Sequence, residues 1–264
     1  MDYKEINRKL WNDKVDAHLN SKFYNVDEFI KGQSVLNDIE LELLQNVSGK
    51  SVLHLQCHFG QDSIELSRMG ARVGGVDLSD RSIEKAKWLA KQCGTSTEFI
   101  CCDVYESVNQ LDESFDTVFT SYGTVGWLPD IQRWAHTVNH FLKPGGAFVI
   151  ADFHPVIWMM DEEFSHVTYG YFNSGPIIEN QSGTYADRNA EIHNTEVSWN
   201  HSLSDIMGAL LDEGLMLKSF KEYDYSPYPC FKNLVETRTK QFQIEGLEGK
   251  LPMVYSMRFE KPIV

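Results

Sequence analysis

Val52-Leu53-His54-Leu55-Gln56-Cys57-His58-Phe59-Gly60 is the stretch whose reading decides the fold. Val52, Leu53 and Leu55 make a buried apolar strand, the next residues turn, and a helix begins near Gln61. A strand that feeds a helix in this way aims the helix's free N–H groups at whatever lies over the strand's end. Asp77, seventeen positions after Gly60, closes a second strand and is placed to accept hydrogen bonds from a ribose diol; Asp103 follows farther on. The pattern is that of a cofactor cradle. Dinucleotide enzymes need small glycines at such a turn so that a pyrophosphate can touch the backbone. Here the equivalent positions carry Gln56 and His58, and a pyrophosphate fits poorly.

Outward from the turn, strand and helix signals alternate. Strands are expected over 51–56, 72–77, 97–102, 115–120 and 147–152. A helix over 62–68 is stopped by Gly70, and another is capped by Ser79 or Asp80, with Ile83, Ala86, Leu89, Ala90 and Cys93 at helical spacing before Gly94. Ile131, Trp134, Ala135, Val138 and Phe141 form one helical face ended by Pro144-Gly145-Gly146. Repeated strand-helix units imply a doubly wound, mostly parallel α/β sheet with helices on both faces. A helix around Leu203 to Leu211 and strands over 215–223 and 253–260 complete it, the last two pairing antiparallel across a loop-like 226–252.

At these residues the chain resembles the class I S-adenosylmethionine-dependent methyltransferases, over roughly 49–262. The family's glycine-rich loop falls on His54-x-Gln56-x-His58-x-Gly60, which keeps only the last glycine. Its ribose-binding acid falls on Asp77 in Gly75-Val76-Asp77-Leu78-Ser79, its adenine-contacting acid on Asp103 in Cys101-Cys102-Asp103-Val104, and its Leu-x-Pro-Gly-Gly turn on Leu142 to Gly146. A narrower match, Leu-His-Leu-Gln-Cys-His-Phe-Gly-Gln-Asp with Ser121-Tyr122-Gly123 and Trp127-Leu128-Pro129-Asp130, is similar to a group of bacterial methyltransferases. The resemblance implies a Rossmann-like seven-stranded sheet and S-adenosylmethionine as cofactor, with S-adenosylhomocysteine as product. It places Gln56, His58, Phe59 and Gly60 at the cofactor's amino-acid end, Asp77, Leu78 and Ser79 at the ribose, Cys102, Asp103 and Val104 at the adenine, and Ser121 near the methyl group. Gln56 and His58 have a second reading, steric packing against N-terminal helices. Asp62 would repel the cofactor's carboxylate unless it faces the ammonium.

The net charge of −14 disfavours a nucleic-acid substrate, because such affinity comes from clustered Lys and Arg. Charged residues from Asp2 onward, and no apolar run near the ~18 residues of a membrane span, point to a cytoplasmic protein. Five cysteines without Cys-x-x-Cys spacing read as reduced thiols. His136 and His140 share a helix face, but no third ligand is evident and no metal is expected. Oligomeric state is not legible.

The expected organisation is an N-terminal helical cap over 1–48, a core over 49–153 and 202–264, and an antiparallel β insertion over 154–201 with patches at 166–172, 184–185 and 191–199. The insertion leaves at the sheet's ligand-binding edge, as a wall or lid over the substrate or else as a core extension or dimer contact. Methyl transfer demands alignment and exclusion of water more than acid-base machinery. His154, directly after the fifth strand, is the candidate general base, and Tyr122 would face the methyl group and acceptor. Tyr24 and Trp127, with Tyr122, Trp158, Tyr171 and Trp199, are candidates for an aromatic pocket for a small organic substrate. Three functions fit: a small-molecule methyltransferase acting at O, N or S; a non-catalytic module binding S-adenosylmethionine or S-adenosylhomocysteine; and a nicotinamide-dependent oxidoreductase, against which Gln56 and His58 count.

Overall fold

A computed structural model describes residues 1–263. Three helices, α1 (Tyr3–Leu19), α2 (Val26–Ile30) and α3 (Asp38–Leu44), precede β1 (Ser51–Leu55), which is buried along its whole length. Then follow α4 (Gln61–Arg68), β2 (Arg72–Asp77), α5 (Asp80–Gln92), β3 (Glu98–Cys101), β4 (Phe115–Ser121), α6 (Ile131–Phe141) and β5 (Leu142–Phe153). After them come β6 (Ile177–Ser182), β7 (His193–Ser198), α7 (Leu203–Asp212), β8 (Met216–Tyr223), β9 (Leu234–Arg238), β10 (Gln241–Ile244) and β11 (Val254–Glu260).

The central sheet has seven strands in the order β3-β2-β1-β4-β5-β11-β8. Every neighbouring pair from β3 to β5 is parallel, and β11 runs antiparallel to both β5 and β8. A parallel sheet must be covered on both faces, which is why β1 is buried along its whole length and the middle of β5 is a continuous apolar run. The amphipathic face of α6 settles one side: Ile131, Trp134, Ala135, Val138 and Phe141 are all buried, and the Trp134 ring stands edge-on to Phe148 at 5.4 Å. Local chemistry agrees with the tertiary arrangement. Ser79 caps α5 and Ser202 with Asp205 forms a capping box on α7.

Outside the core the expectations hold less well. Residues 166–172 form no strand and make one bridge, Met160 to Val167; 184–185 lie in a turn closed by the Thr184 hydroxyl. The β patch is the hairpin β6–β7, which gives each strand the partner that a β stretch on its own lacks. The 226–252 segment, expected as loop, contains a second hairpin, β9–β10. Helix α1 lies across the edge where β1, β2 and β4 end. It is tied to the start of α5 through Arg8 and Asn12 on Asp80 and through Arg81 on Asp16, and to β7 through the Asn7 amide, which donates to and accepts from the Val197 backbone at 2.8 and 3.0 Å. Among the described residues, no helix is long and apolar enough to cross a membrane.

Candidate functional site

The β1–α4 turn alternates left-handed residues. Gln56, His58 and Gly60 have φ of 57°, 51° and 80°. The backbone of a glycine-rich loop is therefore kept although two glycines are not, at roughly 1–2 kcal/mol of strain per side-chain-bearing position. The strain is held in place by Asp77, whose Oδ2 accepts the His58 N–H at 2.7 Å and whose Oδ1 accepts the Ser79 N–H at 2.9 Å. Burial pushes the Asp77 carboxyl up to about 6, against the downward pull of these backbone donors.

Two cavities open on this turn, with volumes of about 640 and 780 Å³ that include the solvent at their mouths. The larger lies over the ends of β2 and β3 and is walled by Asp77, Leu78, Cys102, Asp103 and Val104 from below and by Tyr3, Lys4, Asn7 and Trp11 of α1 from above. Lys4 pairs with Asp103 at 2.7 Å, so α1 is fastened to the acid that closes the pocket. The second cavity lies over α4 and β4, between Tyr24, Phe59, Asp62, Ser121 and Tyr228. Gln56, His58 and Tyr122 line both and form their common wall. The Gln56 amide donates to the Thr124 carbonyl at 2.9 Å, while its Oε1 is buried without a partner.

Under the second cavity a buried polar chain runs Asp62–Ser121–His54–Ser63: the Ser121 hydroxyl donates to Asp62 at 3.0 Å and lies 3.3 Å from the His54 ring, which meets Ser63 at 2.8 Å. Burial pushes Asp62 up to about 6 and His54 down to about 3. His58 packs against Trp11, meets the His18 ring nitrogen at 3.2 Å and stacks parallel to Tyr24, whose hydroxyl contacts that of Tyr185. Burial takes His58 down to about 3 and His18 to about 2, so both rings are neutral.

Residues 52–146 match the family model described as a methyltransferase domain. The chain is 30% identical over 132 residues to a ubiquinone biosynthesis O-methyltransferase of Idiomarina loihiensis, covering 48% of this chain and 54% of that protein. The chain thus spans about half the length of the curated relatives it matches. Its fold is that of a solved S-adenosylmethionine-dependent methyltransferase from Listeria monocytogenes described as putative (TM-score 0.57, 18% identity, 83% and 94% covered), and of a structure described as a DhpI–SAH complex (TM-score 0.58, 16% identity, 98% and 97% covered). Over residues 52–146 the chain is thus similar to a methyltransferase domain.

The cofactor of such a domain is S-adenosylmethionine, and the methyltransferase cleft fits it. Asp77 lines the cleft at the end of β2, and Gln56, which lines it at the adjoining turn, keeps a buried Oε1 without a partner; Gly60 answers to the core instead, since a side chain there would strike the Phe99 ring at 2.5 Å. Gln56 and His58 thus answer to both sequence readings, since they line the cleft and also pack under the N-terminal helices. Three expected positions fall elsewhere. Ser79 is fully buried; its hydroxyl caps α5 and donates to Asn12 at 2.6 Å, so it supports Asp77 through its N–H instead of lining the cleft. Trp127 lines the cavity over β2 and β3, its Nε1 held by the Gly123 carbonyl at 2.6 Å. His154, the expected base, lines neither cavity; its Nδ1 accepts the Val156 N–H at 3.2 Å and its Nε2 donates to Glu222 at 3.0 Å. Of the other aromatics, Trp158 packs on Phe153 and Phe231, Trp199 on Tyr3, and Tyr171 accepts from the Leu203 N–H. Lys4, Trp11 and Tyr228 were not foreseen; nothing in their local pattern separates them from ordinary helix and loop residues.

The loop that carries Tyr122 is held by Asp152 at the end of β5. This buried carboxylate accepts the N–H groups of Gly123, Thr124 and Val125 and the Thr124 hydroxyl. Asp152→Ala is expected to cost about 2–4 kcal/mol by orphaning these donors. Urea unfolding checks this, and a loss under about 1 kcal/mol would mean that water replaces the clamp.

Glu40 on α3 is a second buried acid beside this wall. Burial, and then Asp62, push it up to about 8, while the Asn37 amide and the Tyr122 hydroxyl pull it back. Tyr225 and Tyr228 also face it, and no Lys or Arg pairs with it among the described residues. An unfolded glutamate titrates near 4.5, so the folded chain holds an extra proton between that value and about 8, and stability falls as pH rises through this window. Below pH 6.5 the neutral buried histidines and the raised Asp62 and Asp77 pull in opposite directions, and buried Lys14 titrates from above. The clean readout is a difference: between pH 6.5 and 8 the wild type should lose about 2 kcal/mol relative to Glu40→Gln in parallel urea titrations. Parallel pH profiles would mean that Glu40 is ionised in the fold.

Proposed function

We propose that this chain transfers the methyl group of S-adenosylmethionine to an O, N or S atom of a small molecule held against Tyr24, Tyr122 and Tyr228. The bound cofactor supplies a methyl carbon primed for displacement by its positively charged sulfur. The chain's own residues bind, orient and dry the site. Asp77 accepts the ribose hydroxyls, and Asp103, fixed by Lys4, borders the base. Asp62 and the free Gln56 Oε1 receive the ammonium end, and the N–H groups at the start of α4 receive the carboxylate. Tyr122, on the common wall, sets the line along which a nucleophile approaches. Water is kept out by α1 from above and by the rings of the second cavity.

The observation that carries this reading is that two cavities share Gln56, His58 and Tyr122 as a common wall. A largely apolar pocket edged by Asp77 and Asp103 lies on one side of that wall and an aromatic chamber on the other, which is the layout needed to place a nucleoside beside an acceptor. The 154–201 segment joins in as a buttress: β7 holds α1, and Tyr185 backs Tyr24. Incubating the protein with S-adenosylmethionine and separate sets of amines, phenols, thiols and carboxylates, and following S-adenosylhomocysteine, should reveal turnover with one set. S-adenosylhomocysteine binding without turnover on any of them would favour a non-catalytic sensor.

A further inference from the structure

The walls of the second cavity contain no Lys or Arg among the described residues. Rings of Phe23, Tyr24, Tyr122, Phe153 and Tyr228 enclose it, with Asp62 as the charged side chain. Glu40 stands behind two of those rings. The Asn37 amide bridges it to the wall, donating to the Tyr228 hydroxyl at 2.8 Å and to Glu40 Oε1 at 3.3 Å, and the Tyr122 and Tyr228 rings meet edge to face at 5.1 Å. Glu40 and the Tyr122 hydroxyl are buried side by side, and apart from each other neither Glu40 Oε2 nor that hydroxyl has a polar partner. An acid and a phenol buried together with no other partner and no counter-charge beside one chamber are incompletely satisfied, and a cation in that chamber would complete the pair. The tyrosines and Glu40 that shape this end lie, apart from Tyr122, outside the 52–146 family match, so the relatives' acceptor chemistry does not carry over to it.

Resting on the methyl-transfer reading, we infer that the acceptor is an amine, which enters as its ammonium ion between the Tyr24, Tyr122 and Tyr228 rings and gives a proton to Glu40 by way of the Tyr122 hydroxyl. π faces attract a cation, and a carboxylate behind them adds to that attraction. A phenolate or carboxylate acceptor would meet two acids and no counter-charge. The step balances: an N–H proton passes to the Tyr122 oxygen as the tyrosine's own proton passes to the Glu40 carboxylate. The freed nitrogen pair forms the N–C bond, the C–S bond breaks, and its electron pair stays on sulfur. The positive charge leaves sulfur and rests on the methylated nitrogen. Asp62 serves the cofactor's ammonium and Glu40 the acceptor's, which gives each of two mutually repelling acids its own cation.

The test uses the complex with S-adenosylhomocysteine at pH 7, titrated calorimetrically with benzylamine, benzyl alcohol and benzoate in two buffers of different ionisation heat. Benzylamine should bind at least about tenfold tighter than the other two. It should also release close to one proton, because Glu40 is neutral at this pH until a cation arrives. Glu40→Gln should remove both the preference and the proton while S-adenosylhomocysteine binds as before. Should that variant fail to fold, infrared difference spectra of the wild type should still show a protonated-carboxyl band vanish when benzylamine is added. Equal binding of the alcohol or benzoate, no benzylamine binding, proton release that persists in Glu40→Gln, or an unchanged carboxyl band would each overturn the inference. Failure of S-adenosylhomocysteine itself to bind would strike the cofactor reading instead.

Discussion

Asp77→Ala is expected to weaken S-adenosylhomocysteine binding by about 2–3 kcal/mol, roughly 30- to 150-fold. The carboxylate would do two jobs that alanine cannot. It accepts backbone N–H groups from His58 and Ser79, which fixes the left-handed turn at the cleft, and its remaining lone pairs meet the ribose. Burial already raises this carboxyl to about 6, so the apo protein carries a partly unsatisfied charge that hydroxyl donors would relieve. Losing the charge therefore helps the empty fold while losing its two backbone bonds hurts it, and the melting temperature should move little. Affinity by calorimetry beside a thermal melt separates the two effects. Unchanged affinity would place the ribose elsewhere.

Gly60→Ala should cost about 3 kcal/mol or more of stability, the sum of a left-handed backbone penalty and overpacking. The added Cβ would lie 2.5 Å from Cζ of Phe99 and 3.2 Å from the Ala86 Cβ, inside the cluster that also holds Ile83 and Leu89. Phe99 is 5% exposed and has little room to yield. Gly94→Ala is the matched control. Its φ is +66° against +80° at Gly60, but nothing lies within 4 Å of the new atom, so it should cost only the backbone share, about 1–2 kcal/mol. Equal losses in urea unfolding would show that the Phe99 contact relaxes away.

The core was legible because its signals are local and repeated. Period-2 and period-3.6 apolar patterns between 51 and 153 pointed to five strands, and the seven-stranded sheet with one reversed strand follows. The turn at Gln56 to Gly60 and the acids Asp77 and Asp103 were legible for the same reason: each stands at a strand's end, and strand ends of such sheets converge on one edge. Long-range pairings were not. His154 looks like a free loop base until Glu222, 68 residues away, is seen holding its ring. Glu40 reads as one more surface charge on a short helix, and only the tertiary packing of Tyr122 and Asn37 reveals it as buried. The β9–β10 hairpin escaped because its turn carries Lys240 at φ 57° where a glycine or asparagine would have signalled it. Trp127 is four residues from the carbonyl that holds its ring over β2 and β3, a geometry that spacing alone does not give.

The most direct measurement is a calorimetric titration of the purified chain with S-adenosylhomocysteine and, separately, with NAD. Saturable binding of S-adenosylhomocysteine and none of NAD is the expected result, since Gln56 and His58 occupy the bend that a pyrophosphate needs. NAD binding without S-adenosylhomocysteine binding would contradict it.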